Sequence, residues 1–151
     1  MMIEDVFIRP LKVFSDSRGS VLHMVRRDND FFNQFGEIYF SQINPGIIKG
    51  WKKHLKMTQY FAVPMGNVKW VLYDERENSS TYGEIQEIFM GIDKYRLVCI
   101  PPLVWYSFMA LENKSALIAN CTDIPHDPKE VIVTDIFDEK IPYKWELPVR
   151  E

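Results

Sequence analysis

Cysteine is scarce in this chain. Cys99 and Cys121 are the only two, and both sit in apolar, strand-like runs with no repeated spacing. That pattern gives no disulfide framework and no thiolate zinc site, and leaves two buried free thiols as the expectation. Basic charge is short as well: 18 Lys and Arg stand against 21 Asp and Glu, a formal net charge of −3. Nucleic acid is therefore not an expected partner, because polyanion binding needs a basic surplus that releases counterions. No apolar run approaches the length of a membrane span, and the opening MMIEDVFIRP carries acids where a signal peptide carries bases. No membrane association is expected, and a cytoplasmic location is. Linkers, internal repeats and low-complexity tracts are missing too, so the 151 residues are expected to fold as one domain. A domain of that size buries roughly two-thirds of its unfolded surface, enough for a real core.

Helical periodicity is the next absence. From Ile38 to Cys121 no segment keeps a three-to-four-residue apolar period long enough for a helix. What is there instead is a series of short strands. LKVFSDSRGSVLHMVRR, Leu11 to Arg27, reads as a hairpin, and EIYFSQIN is a β-branched and aromatic run ending at the turn Asn44-Pro45-Gly46. Further strands are expected over Ile48 to Lys53, Gln59 to Pro64, Val68 to Tyr73, Ile85 to Met90, Tyr95 to Ile100, Trp105 to Leu111 and Ala116 to Cys121. Short strands at regular spacing, parted by Gly, Pro, Asn and Asp, predict an all-β antiparallel sandwich or jelly roll. Beyond about residue 122 the Pro- and Asp-rich sequence predicts an extended tail with one short helix or strand, packed down by Phe137, Tyr143 and Trp145.

The stretch from Gly46 to Gly66, GIIKGWKKHLKMTQYFAVPMG, places Lys52, His54 and Gln59 at spacings similar to the first motif of the cupin superfamily. The resemblance implies a cupin-like barrel. Metal-binding cupins carry His, His and Glu in those three slots. Here a lysine would repel a cation and a glutamine is a weak ligand, so no metal is expected. Alternation along a strand puts Lys52 and His54 on one face.

Six segments, in order, resemble the dTDP-4-dehydrorhamnose 3,5-epimerase family, a cupin group that alters stereocentres beside the ketone of nucleotide-linked 4-keto sugars. DSRG at Asp16 to Gly19 resembles D-x-R-G, Gln42-Ile43-Asn44 resembles Q-x-N, and GIIKGW resembles G-V-x-R-G-L. YDERENSSTYGEI resembles D-x-R-x-x-S-x-T-x-G, IPPLVWYSF resembles I-P-x-G-x-x-H-G-F, and FDEKIPYKW resembles the closing D-P-x-x-x-I-x-W. The resemblance implies that Arg18, Gln42, Asn44 and Lys49 contact the nucleotide diphosphate or sugar, with Gln59 near the place of a phosphate-binding lysine. The departures fall on catalytic positions. The family's base histidine aligns with Lys52, its second-motif histidine with Tyr106, the glycine three residues earlier with Leu103, and TDIPHD at Thr122 to Asp127 offers no tyrosine where the family has its proton donor.

Removing a proton beside a ketone needs a base that works near neutral pH, a donor for the enolate oxygen and, for inversion, an acid on the opposite face. Histidine is the side chain suited to that base, which selects His54. Lys52 serves as base only when neutral, and as a cation it could stabilise the enolate. Asp138, whose interval to Trp145 matches the family's, is the candidate to orient either group, and Tyr106 is the candidate relocated donor. Two readings follow. The first is an epimerase or isomerase of a nucleotide-linked 4-keto sugar in surface polysaccharide biosynthesis, needing no external cofactor and paired as a homodimer. The second is a non-catalytic cupin that binds a sugar nucleotide or serves as a structural, dimeric module.

Overall fold

The structure is a computed structural model that describes residues 2–147. Twelve strands follow one another along the described residues: β1 Phe7–Pro10, β2 Val13–Asp16, β3 Gly19–Leu22, β4 Glu37–Ile43, β5 Ile48–His54, β6 Gln59–Met65, β7 Asn67–Asp74, β8 Ile85–Gly91, β9 Arg96–Ile100, β10 Val104–Ala110, β11 Ala116–Thr122 and β12 Val131–Val133. A single 3-10 turn, Pro128–Glu130, interrupts the tail. The expected strands from β4 to β11 are found with ends shifted by at most one residue, while the expected Leu11 to Arg27 hairpin is shorter, its second strand stopping at Leu22. Two short ones, β1 and β12, have too little local pattern to be read as definite strands in isolation.

The strands form two five-stranded antiparallel sheets, in the orders β1-β9-β6-β11-β4 and β12-β5-β10-β7-β8, while β2 and β3 pair only with each other. The sheets face one another over a core that includes Ile43, Phe61, Val63, Trp70, Leu72, Ile100, Phe108 and Ile118. This is the expected sandwich. Several strands read as continuous apolar runs rather than alternating ones because their outer faces are covered too. Across β5, β7 and β10 the tail lays Ile141 and Trp145 against Trp51, Val71, Tyr73 and Trp105. Across β6, β9 and β11 the segment after the hairpin lays Met24, Val25 and Phe31 against Tyr60, Leu97, Cys99 and Cys121. Both cysteines are buried and free.

Of the three aromatics expected to hold the tail, Trp145 is buried, donating from its indole to Ser107 Oγ at 2.9 Å, and Tyr143 packs beside it. Phe137 does not pack. It is 60% exposed, on a turn whose backbone is tied by Asp135 rather than by core contacts.

One irregularity positions the site. Between Tyr106 and Ser107 the pairing of β10 with β5 slips by a residue, so that Tyr106 lies opposite Lys52 while Ser107 lies opposite Gly50. A bulge of this kind changes which side chains share a face. Residues three apart on a regular strand point to opposite sides, yet Lys52 faces inward opposite Tyr106 and Lys49 faces inward opposite Phe108. Gly50 makes the slip possible. Its φ is +120°, and a Cβ there would meet Ser107 Cβ at 2.7 Å and the Tyr106 carbonyl oxygen at 2.8 Å.

Candidate active site

A line of polar side chains crosses the sandwich from β5 to β4, buried at the His54 end and partly open at Tyr39. Its first member is His54, the last residue of β5 and 7% exposed. Its Nδ1 meets a carboxylate oxygen of Glu130, the last residue of the 3-10 turn and equally buried. β12 explains the meeting: it adds to the edge of β5 with Val131 opposite His54, which delivers the preceding residue beside the imidazole. Glu130 is held from both ends. Its carbonyl accepts from the Leu55 amide at 2.8 Å, and its second carboxylate oxygen accepts from the amides of Lys56 and Met57, each at 3.2 Å. Burial opposes the charged carboxylate, but the bonds from His54 and the two amides outweigh it and hold Glu130 below its ordinary pKa. An ionised Glu130 accepts from Nδ1, which turns Nε2 of His54 toward the interior.

That nitrogen lies 3.4 Å from the Tyr106 hydroxyl, and the two rings stack at an interplanar angle of 8°. Gln59 Nε2 donates to the same hydroxyl at 3.2 Å. Burial holds the Tyr106 phenol well above the usual tyrosine range. On the facing sheet Asn120 Nδ2, on β11, donates to the hydroxyl of Tyr39, on β4, at 2.7 Å. At the rim Lys49 donates to Ser41 Oγ at 3.0 Å and to the Gln42 carbonyl at 2.7 Å. Burial, and then the neighbouring Lys52 charge, push the Lys49 ammonium down from its ordinary value. Lys52 itself is exposed. Among the described residues no three His, Cys, Asp or Glu side chains converge as a metal site would require. The arrangement brings an imidazole, two phenols and two lysines to the inner sides of the two facing sheets.

The sequence matches the dTDP-4-dehydrorhamnose 3,5-epimerase family over residues 1–151. The chain belongs to that family. Among curated proteins it is 32% identical over 143 residues to Haloferax volcanii "Probable low-salt glycan biosynthesis epimerase Agl13", covering 93% of this chain and 88% of that one. It is also 32% identical over 151 residues to Bacillus subtilis "Spore coat polysaccharide biosynthesis protein SpsL", covering 99% and 100%. The crystal structure of a dTDP sugar isomerase from Desulfovibrio desulfuricans superposes with a TM-score of 0.93 at 45% identity, covering 96% of this chain and 94% of that one.

Within the epimerase family pattern, the candidates of the sequence separate into four groups. His54, Tyr106 and Gln59 are joined by hydrogen bonds, with Lys49 and Lys52 on the same inner face of β5. Gln42 and Asn44 are exposed, Asn44 serving the turn by accepting from the Ile47 amide. Arg18 sits at the tip of the β2-β3 hairpin, paired with Asp16 and 87% exposed, with no contact to the interior line. The expected role of Asp138 as partner of His54 or Lys52 is corrected: its carboxylate accepts from Thr134 Oγ1 and the Lys140 amide, and the carboxylate at His54 belongs to Glu130. Leu103, aligned with the family's glycine, keeps a glycine-like backbone at φ +68°, and its amide donates to the His54 carbonyl at 2.7 Å.

Sequence reasoning missed Glu130, Tyr39 and Asn120. Glu130 offers no linear signal beyond following Asp127 and Pro128, which start its turn. Tyr39 did offer one: in EIYFSQI every second residue, Glu37, Tyr39 and Ser41, is polar, and those residues share the inward face.

Proposed function

We propose that the chain is an epimerase or isomerase acting on a nucleotide-linked 4-keto sugar by removing a proton beside the ketone, in surface polysaccharide biosynthesis. The observation that carries the reading is the buried His54-Glu130 pair, a base with one nitrogen fixed on a carboxylate and the other turned into the interior. His54 Nε2 takes the α-proton, and the electron pair moves onto the carbonyl oxygen. Glu130 is a positioning residue: it fixes the tautomer and compensates the imidazolium that forms. Lys52 stabilises the enolate oxygen, and Lys49, which has a donor to spare beyond Ser41 and Gln42, takes the diphosphate charge. Proton transfer of this kind uses only the chain's own side chains.

The relatives' names support the class of reaction and its use in glycan and coat polysaccharide assembly. The reading includes one cupin domain over residues 1–151, a cytoplasmic location and a homodimer. Two unpaired buried thiols fit a reducing compartment. Pairing is supported by β4, an edge strand whose outer face exposes Ile38 and Phe40, and by the hairpin, which exposes Phe14 and Val21. Light scattering that returns only a monomeric mass would remove the dimer from the reading.

The experiment is deuterium uptake from heavy water into a panel of nucleotide-linked 4-keto sugars, read by mass spectrometry against an enzyme-free control. Uptake of one or two deuterons, dependent on the protein, is the expected result. Binding without uptake on any substrate would replace the enzyme by a sugar-nucleotide-binding cupin.

A further inference from the structure

Inversion needs an acid on the face opposite the base, and the chain carries no tyrosine from Thr122 to Asp127 to supply one. Tyr106 is poorly placed for that task. It stands on β10, next to β5 in the same sheet as His54, with its ring stacked on the imidazole and its hydroxyl within 3.4 Å of the base nitrogen. A donor there returns a proton on the side from which His54 took it. It is also almost fully enclosed, 4% exposed.

The geometry points to Tyr39 as the proton donor that completes inversion, acting on the substrate from the sheet opposite His54. Four observations support it. β4 belongs to the facing sheet, and Tyr39 lies on its inward face, opposite buried Asn120. Tyr39 as a residue is 38% exposed, in contrast to the enclosed Tyr106. Asn120 Nδ2 donates to the phenolic oxygen at 2.7 Å, which fixes the oxygen and stabilises it when the proton leaves. Burial pushes the phenol above its ordinary value, against the bond from Asn120, so that it stays protonated at neutral pH. This inference rests on the proton-transfer reading above.

The step balances. His54 Nε2 removes the α-proton, and the C–H electron pair becomes the enolate. The enolate carbon then takes the Tyr39 hydroxyl proton on its other face, and the carbonyl re-forms. Tyrosinate and imidazolium return to their starting states by exchange with solvent.

The test uses Y39F with a 4-keto sugar that the wild-type protein exchanges in heavy water. Unreacted sugar recovered from Y39F is expected to carry deuterium, because His54 still removes and returns the proton on its own face. Inverted product is expected to fall by about 10² or more. Retained exchange is also the control for folding. Inversion by Y39F within a few fold of wild type would overturn the proposal, as would loss of exchange together with inversion in a folded variant. A second variant keeps the ring in place: 3,5-difluorotyrosine at position 39 acidifies the phenol and is expected to move the alkaline limb of the inversion rate to lower pH. An unmoved limb would overturn the assignment. Wild-type protein that moves the ketone without inverting a centre would overturn the role of Tyr39 alone, whereas wild-type protein that exchanges no hydrogen would overturn this inference together with the reading beneath it.

Discussion

Glu130 and His54, 76 positions apart in the chain, meet side chain to side chain inside the sandwich, and the carboxylate that orients the imidazole is also the acceptor for two backbone amides. Orientation and local folding are thus joined in one residue.

Glu130→Gln tests the catalytic half of that statement. The amide still accepts from His54 Nδ1 but supplies no negative charge to balance an imidazolium, so turnover is expected to fall by on the order of 10² with little change in KM. Steady-state kinetics on a protein whose circular dichroism matches wild type is the check. Full activity would leave Glu130 as a structural residue only.

Lys49 and Lys52 are expected to separate in kinetics. Lys49→Ala removes the cation proposed to hold the diphosphate and should weaken dTDP binding by about tenfold, visible by calorimetry, with kcat nearly kept. Lys52→Ala should lower kcat and leave dTDP affinity close to wild type. Identical effects of the two variants would refute the division of roles.

Gly50→Ala probes the slip in register. The added methyl would strike Ser107 and the Tyr106 carbonyl, and the φ of +120° is costly for any residue with a Cβ. A loss of about 2–4 kcal/mol is expected in urea unfolding. Weakened dTDP binding should accompany it, because the slip turns Lys49 and Lys52 to one face.

Asp74 carries a prediction about acid. Its fully buried carboxylate accepts from Arg76, Ser79 and Thr81; burial opposes ionisation, but these bonds outweigh it and hold the carboxyl well below the usual carboxylate range. A depressed folded-state pKa gives stability that is complete above the unfolded value, about 3.9, and that is lost as pH falls through and below it. Thermal melts should therefore show wild-type stability falling below about pH 4, with a flatter decline in Asp74→Asn. At pH 7 that variant should be less stable by about 3 kcal/mol, since it leaves the Arg76 guanidinium only the exposed Asp5 carboxylate, at 3.2 Å, as a counter-charge. Equal slopes in acid would show that Asp74 does not set this limb.

The sequence by itself determined the sandwich, because strand formation is local: β-branched and aromatic runs between Gly, Pro and Asn turns carry their own signal, and the strands from β4 to β11 follow it almost residue for residue. It also made His54 a candidate base, through the chemistry of the imidazole. Only the tertiary structure decided what surrounds that base. Asp138 was chosen by a linear interval to Trp145, but hydrogen bonding depends on which strand edge is adjacent in space, and β12 brings Glu130 instead. Tyr39 stayed hidden because an alternating strand does not say which face is inside: β4 turns Ile38 and Phe40 outward and Tyr39 and Ser41 inward, against the usual apolar preference. Lys49 and Lys52 share a face only through a one-residue slip at Gly50, a property of two paired strands that neither strand possesses alone.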